Sequence, residues 1–153
     1  TDFQCALGLS QLRKLDSFLE RRRQIASIYD VAFAEVSGVA IPIQREGCQS
    51  AYHIYPVRLH GGLAKAGRAT VYRALRAENI GVNVHYLPVH LHPYYKSEFG
   101  YAEGDCPVAE AYYESAITLP LFPAMSDSDV QDVVNAVSKV VTYFHTRSED
   151  SQA

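Results

Sequence analysis

Cysteine, methionine and tryptophan are scarce in this sequence, and neither sign of charge is in large excess. Its 153 residues include three Cys, one Met and no Trp, and the net charge is −3 at pH 7. Three cysteines without CxxC spacing form neither a disulfide framework nor a zinc site, so we expect reduced thiols in a cytoplasmic protein. A nucleic-acid-binding protein needs a basic face, and the negative net charge argues against one.

Long apolar runs and common catalytic motifs are also missing. No run approaches the roughly 18 residues that a membrane span needs, so we expect no membrane partner. The serine-hydrolase motif GxSxG and the phosphate-binding motifs GxGxxG and GxxxxGK[ST] do not occur. The composition is nevertheless that of a folded domain, with 48% hydrophobic and 20% charged residues.

The first 36 residues have the apolar spacing of one long helix, without an interrupting proline. A helix over 2–36 would be about 52 Å long, whereas a globule of this chain length is about 38 Å across. We therefore expect the helix to bend, to break near its start or to lie on a neighbouring domain. The predicted divisions of the chain are the long helix at 1–36, a small domain at 37–147 and a frayed tail at 148–153.

The middle of the chain alternates strand-like and helix-like patterns. Aromatic and β-branched residues predict strands at 51–59 and 82–87, and Pro56 places the first of them at an edge or a bulge. Helical spacing predicts a helix at 68–79, and a second helix from Asp105 through Ile117. Strand, helix and strand therefore form the expected core unit.

The last part of the chain has the cleanest helical pattern. Apolar residues recur at i, i+3, i+4 and i+7 from Val130 to Phe144, behind a capping box formed by Ser126 and Asp129. The predicted fold class is α+β, with a small, mostly antiparallel sheet covered by helices and a long N-terminal helix.

Three histidines, His85, His90 and His92, lie within eight residues of one another. One hypothesis is a metal site, since imidazole is a common metal ligand. The other is a set of polar contacts in a tyrosine-rich loop, which the lack of Cys, Asp or Glu among these histidines favours. Addition of zinc would raise the melting temperature only if the first hypothesis holds.

Tyrosines make the same stretch aromatic. Each tyrosine combines a flat apolar face with a polar tip, and Asn83 adds amide donors and an acceptor. Such a surface suits a sugar, a uracil ring or a protein partner, although about half of the rings could equally belong to the core. The tyrosines are Tyr86, Tyr94, Tyr95, Tyr101, Tyr112 and Tyr113.

Two other features have structural interpretations. Arg21, Arg22 and Arg23 are expected to form a solvated helix face, with a phosphate or carboxylate partner as the alternative. Cys5 lies on the apolar side of the first predicted helix and is expected to pack in the core. No residue pattern completes a catalytic site.

Five blocks of the sequence, in this order, resemble the DegT/StrS family of sugar-nucleotide aminotransferases, and the resemblance covers about residues 1–145. Within that family, the sequence of these blocks most resembles that of the transaminases of pseudaminic acid synthesis. The blocks are TDFQCALGLSQL at 1–12, YHIYPVRL at 52–59, GVNVHYLPVHL at 81–91, GDCPVAE at 104–110 and LPLFP at 119–123.

The resemblance implies the small C-terminal domain of an aspartate-aminotransferase-like enzyme. Such enzymes use pyridoxal phosphate (PLP) to move an amino group from glutamate to a UDP-linked 4-keto-6-deoxy sugar, and they are homodimers. By family position, Asn83, Val84, His85 and Tyr86 are expected to contact the sugar nucleotide. His90, His92 and Tyr94 are weaker candidates for the same role.

The family's Schiff-base lysine precedes the first block, and Lys14, Lys65, Lys96 and Lys139 do not match its motif. We therefore expect a piece of a longer protein, with no catalytic residue and no cofactor of its own, whose partner is the large PLP domain. The alternative is a non-catalytic module that binds a nucleotide sugar or a protein, or that serves only for dimerisation.

Overall fold

The computed structural model describes the backbone of residues 1–150 and the side chains of residues 1–145. Helices dominate, and three short strands form one sheet, so the predicted α+β class is confirmed. In chain order the elements are α1 (Asp2–Leu12), α2 (Leu15–Phe33), β1 (Val39–Ala40), β2 (Tyr55–Leu59), α3 (Gly61–Ala66), α4 (Arg68–Ala77), a 3₁₀ turn (Val89–Leu91), α5 (Pro93–Phe99), α6 (Pro107–Ser115), β3 (Ala116–Leu119) and α7 (Asp127–Asp150).

The long N-terminal helix is broken near its start, one of the three outcomes that its length implied. Arg13 and Lys14 form a tight turn, in which the Lys14 N–H donates to the Gln11 carbonyl oxygen at 3.0 Å. The break separates two environments, because α1 buries no residue whereas α2 buries its inner face. Cys5 is exposed, so the expectation that it packs in the core is wrong.

The sheet is antiparallel, with β2 between β1 and β3. The side chains of β2 alternate between buried and exposed, as expected for a strand with one face on the core. Pro56 pairs with Thr118 of β3, but β1 reaches only Arg58 and Leu59. At Pro56, β2 therefore has a neighbouring strand on one side only. The missing N–H of Pro56 costs no hydrogen bond between strands, as predicted for an edge position.

The strand predicted at 82–87 does not form. Only Asn83 pairs, as an isolated bridge to Thr118 of β3. The next hydrogen-bonded pairs of such a ladder would involve Pro120 and Ala116. Pro120 has no N–H, and the Ala116 N–H already donates to the Tyr112 carbonyl oxygen at the end of α6. The predicted helix through Ile117 therefore stops at Ser115, and the third strand is Ala116–Leu119.

The core lies between the sheet and four helices, α2, α3, α4 and α7. Helix α7 packs against α2, α3 and α4, and of its predicted apolar positions Val130, Val133, Val137 and Val141 are buried, while Val134 and Phe144 are partly buried. The capping box is present, since Ser126 N–H donates to Asp129 Oδ2 and Asp129 N–H donates to Ser126 Oγ. Of the predicted tail at 148–153, the backbone of 148–150 continues α7, and 151–153 lie outside the described residues.

The arginine triplet does not form a solvated face. All three side chains are partly buried and donate to carbonyl oxygens of the segments that cross α2. Arg22 binds three of them, because carbonyl groups in irregular backbone need donors that the sheet does not supply. The bonds run from Arg21 to Met125, from Arg22 to Tyr52, His53 and Leu121, and from Arg23 to Ser50.

Candidate functional site

The candidate segment Asn83–Tyr94 begins beside β3. The Asn83 N–H donates to the Thr118 carbonyl oxygen at 3.0 Å, and the Thr118 N–H donates back at 2.8 Å. The Asn83 side chain is exposed, and its Oδ1 accepts from the Val84 N–H at 2.8 Å. The two Nδ2 protons of Asn83 therefore remain directed to solvent, where a ligand oxygen could accept them.

His85 is fixed by the same threonine. Its Nδ1 lies 2.9 Å from Thr118 Oγ1, in a hydrogen bond that orients the ring. With Nδ1 engaged, Nε2 is the ring nitrogen that remains for a ligand. Val84 is half-buried, and so its side chain contributes packing while its backbone stays near the surface.

Tyr86 is 70% exposed, and its ring packs edge-on against the His85 ring at 4.4 Å between centroids. The peptide bond between these two residues is cis. The Tyr86 ring lines an apolar groove of about 580 Å³ between the candidate segment and α6. The other residues lining this groove are Pro88, Cys106, Pro107, Val108, Ala109 and Tyr112.

His90 is buried and is hydrogen-bonded to a carboxylate. Its Nε2 lies 2.7 Å from Glu110 Oε1 of α6, and His90 is only 7% exposed. Hydrogen bonds from the Gly104 N–H, and then the bond from His90, hold the pKa of Glu110 below its usual value. Glu110 is therefore a carboxylate that only accepts at neutral pH, so His90 Nε2 carries the donated proton. His90 is a support of the segment rather than an exposed ligand-binding group.

His92 and Tyr94 lie apart from these contacts, at the start of α5. Both side chains are exposed, and the Tyr94 ring contacts Tyr95 and Phe99. Among the residues whose side chains are described, no group of three or more His, Cys, Asp or Glu could hold a metal ion. The three histidines thus fall in three different settings: His85 bonds to Thr118, His90 bonds to Glu110, and His92 is exposed.

Two residues of this region were missed as separate candidates. Thr118 was placed after a predicted helix, so its position opposite Asn83 could not be foreseen. Glu110 lies in the family block at 104–110, and the sequence gives it no role of its own. A glutamate in the first turn of a helix that begins with proline is the signal that could have identified it.

PLP would need a lysine in a pocket and positive or N–H groups for its phosphate. Lys14, Lys65 and Lys96 are exposed. Lys139 lines a cavity of about 540 Å³, but there it pairs with Glu78 at 2.8 Å. The carboxylates of Asp129 and Asp132 line the same cavity and would repel a phosphate. These residues do not suit PLP.

No helix in the described part of the chain is long and apolar enough to cross a membrane.

Several curated proteins and solved structures are similar to this chain. The spore coat polysaccharide biosynthesis protein SpsC of Bacillus subtilis is 44% identical over 141 residues, covering 92% of this chain and 36% of SpsC. Spr1654 of Streptococcus pneumoniae, a putative sugar aminotransferase solved in its apo form, superimposes with a TM-score of 0.87 at 33% identity, covering 97% of this chain and 37% of that one.

Helicobacter pylori PseC, an aminotransferase of pseudaminic acid biosynthesis, has a TM-score of 0.82 at 27% identity, covering 92% of this chain and 37% of PseC. The chain thus spans little more than a third of the length of the proteins that it matches. Spr1654 has also been solved in PLP and PMP forms, so PLP is a cofactor within this group. Residues 1–138 match the family described as the DegT/DnrJ/EryC1/StrS aminotransferase family, and the chain belongs to that family.

Proposed function

We propose that this chain is the C-terminal small domain of a PLP-dependent aminotransferase. The whole protein would move an amino group from glutamate to a UDP-linked 4-keto-6-deoxy sugar and would act as a homodimer. Family membership over residues 1–138 supports the reaction class. The coverage of about a third of each relative supports the assignment of the chain to one domain of a larger enzyme.

One observation carries the role proposed for this chain. Asn83 and His85 are held by Thr118, the Asn83 side chain is exposed, His85 is half-buried with Nε2 outside the bond to Thr118, and Tyr86 is exposed beside them. Amide and imidazole N–H groups suit sugar hydroxyls and diphosphate oxygens, and a tyrosine ring suits the apolar face of a sugar or a base. These three side chains lie within four consecutive residues of one irregular segment, so a single ligand can meet all of them.

The contribution of this segment is orientation rather than acid–base chemistry. PLP, held by residues outside this chain, would supply the amino-group transfer. Asn83, His85 and Tyr86 would hold the sugar nucleotide so that its keto carbon stays at one distance from the reacting nitrogen. Restricting that motion lowers the barrier without a proton transfer by this domain.

The test is a titration of the purified chain with a UDP-sugar, followed by calorimetry and by amide NMR shifts. We expect weak binding that shifts the amides of 83–86, and His85→Ala should weaken it about tenfold through the loss of a polar contact. His53→Ala, which removes a histidine outside the candidate segment, is the matched control. A well-folded chain that shows no shift at 83–86 would contradict the proposal.

The identity of the sugar is tested in the whole protein. We expect amino transfer to a UDP-linked 4-keto-6-deoxy sugar, with the substrate of the pseudaminic acid branch among the best acceptors. A preference for dTDP-linked sugars would reject the UDP assignment and leave the aminotransferase class intact. Replacement of the Schiff-base lysine outside this chain should abolish transfer.

Exposed apolar side chains on α1 favour a second candidate, a dimerisation or protein-binding module without catalytic function. Helix α1 presents Phe3, Leu7, Leu9 and Leu12 to solvent, with Phe3 80% exposed. Large exposed apolar side chains in such number on one short helix are typical of an interaction surface. Sedimentation at high concentration should show self-association of the chain, and Leu12→Lys should reduce it. A monomer at all concentrations would count against this candidate.

A further inference from the structure

The candidate segment is held at two places, and both partners belong to one continuous piece of chain. Near its start, Asn83 and His85 bond to Thr118 of β3. Further along, His90 bonds to Glu110 of α6. Helix α6 runs into β3 without a loop, since one ends at Ser115 and the other begins at Ala116. The two attachments therefore share one rigid support.

The Glu110 carboxylate is saturated with donors. The Gly104 N–H donates to both of its oxygens, at 3.0 and 2.9 Å, and the Cys106 N–H donates to Oε1 at 3.2 Å. His90 adds the shortest bond, at 2.7 Å. One side chain thus joins the loop before α6, the first turn of α6 and the 3₁₀ turn of the candidate segment. Hydrogen bonds to a carboxylate are about twice as strong as neutral ones.

Little else holds the stretch between the two attachments. Tyr86 and Val89 are largely exposed, and so burial contributes little to their position. The apolar groove has Tyr86 and Pro88 on one wall and Pro107, Val108 and Tyr112 on the other. The bond between His90 and Glu110 joins the same two pieces of chain and therefore fixes the separation of these walls.

We propose that Glu110 is a positioning residue, which through His90 sets the place of Tyr86 and the width of the groove and thereby controls the affinity for the sugar nucleotide. The effect on affinity rests on the proposed function. The effect on the position of Tyr86 does not, because it can be observed without any ligand.

The test compares two substitutions of His90 in the purified chain. His90→Phe keeps a ring of similar size and removes the hydrogen bond. His90→Gln keeps an N–H near the position of Nε2 and can rescue the bond to Glu110. Tyr55→Phe is the matched control, because it removes another hydrogen bond between a buried ring and a carboxylate, the 2.6 Å bond from Tyr55 to Asp30.

Without ligand, we expect His90→Phe to shift the amide signals of 85–89, and His90→Gln to restore most of them. With a UDP-sugar, His90→Phe should weaken binding about tenfold, and His90→Gln should bind within about twofold of the wild type. Tyr55→Phe should lower the melting temperature, but it should change neither the amide signals of 85–89 nor the affinity for the UDP-sugar. If His90→Phe does not fold, Glu110→Gln is compared with Tyr55→Phe in its place.

Unchanged amide shifts at 85–89 in a folded His90→Phe variant would overturn the inference, whatever the ligand does. Shifts and affinity that change equally in Tyr55→Phe would also overturn it, because the effect would then be general destabilisation. If the wild-type chain binds no UDP-sugar but His90→Phe shifts 85–89 and His90→Gln restores them, the proposed function fails for the isolated chain and the positioning by Glu110 stands.

Discussion

The Arg22 guanidinium donates from Nη1 to the Leu121 carbonyl oxygen at 3.1 Å, across 99 residues of sequence. The same nitrogen also donates to the Tyr52 carbonyl oxygen at 3.0 Å. Arg22 thereby ties α2 to two irregular segments, the one before β2 and the one after β3. A residue that the sequence pattern assigns to a charged surface therefore helps to hold the domain together.

Replacement of Arg22 by Ala should lower the free energy of unfolding by about 1–3 kcal/mol, because it leaves partly buried carbonyl oxygens without donors. Denaturant unfolding followed by circular dichroism measures this loss. Arg73→Ala, at an exposed position of α4, is the control and should change stability by less than about 0.5 kcal/mol. Equal effects of the two substitutions would show that the contacts of Arg22 contribute nothing.

Stability should fall at alkaline pH because of two buried tyrosines. Burial raises the pKa of Tyr29 and of Tyr55 above the usual value of 10.0, and the Asp30 carboxylate raises that of Tyr55 further. A raised pKa means that the stabilising contribution is complete below the usual value and is lost as the pH rises above it. Urea midpoints measured from about pH 8 to about pH 11 should therefore decrease.

Tyr55→Phe should make this alkaline decrease shallower, since one of the two groups is then absent. Tyr94→Phe removes an exposed hydroxyl and should leave the alkaline decrease of the urea midpoint unchanged. If the wild type and Tyr55→Phe lose stability in parallel, the titration of Tyr55 does not contribute.

Stability should also fall at acidic pH because of Glu110. Its pKa lies below the usual 4.5, chiefly through the Gly104 N–H and then through His90. A lowered pKa means that the contribution is present above the usual value and is lost as the pH falls through the lowered one. Glu110→Gln should be less stable than the wild type at pH 7 and should depend less on pH below about 4.5.

Glu103→Gln, at an exposed position of the same loop, is the control for this acid dependence. This variant should match the wild type both in stability at pH 7 and in the dependence of stability on pH in the acid range. An acid profile of Glu110→Gln identical to that of the wild type would show that the carboxylate adds no stability.

All three thiols should react in the native chain. Cys5, Cys48 and Cys106 are exposed, and an accessible thiol reacts at a rate set by its thiolate fraction. A colorimetric thiol reagent should therefore titrate three groups without denaturant. Protection of one thiol until unfolding would contradict the exposed position found for it, and for Cys5 would restore the expectation of core packing.

The elements with long periodic patterns could be predicted from the sequence. Helix α7 and its Ser126 cap follow from an apolar stripe and a local polar pair, which need no knowledge of the rest of the chain. The strand Ala116–Leu119 was missed, because four buried residues without alternation do not distinguish a strand from a helix end.

The sequence singles out the residues of the candidate segment, but it does not reveal the residues that hold this segment in place. Asn83, His85 and Tyr86 stand out by type and by their resemblance to family blocks. Thr118, which holds Asn83 and His85, and Glu110, which holds His90, lie 20 or more residues away from their partners along the chain. Hydrogen bonds between such distant positions depend on how α6 and β3 pack, and no local pattern specifies that.

The direct junction between Ser115 and Ala116 makes this place intolerant of changes in length. One residue inserted in α6 would turn Glu110 about 100° around the helix axis, and one inserted in β3 would move Thr118 to the opposite face of the sheet. An epitope tag or a fused domain should therefore be placed in the exposed stretch at 44–49, away from both attachments. Length variation between homologues is expected to concentrate there as well, and to avoid the helix–strand junction.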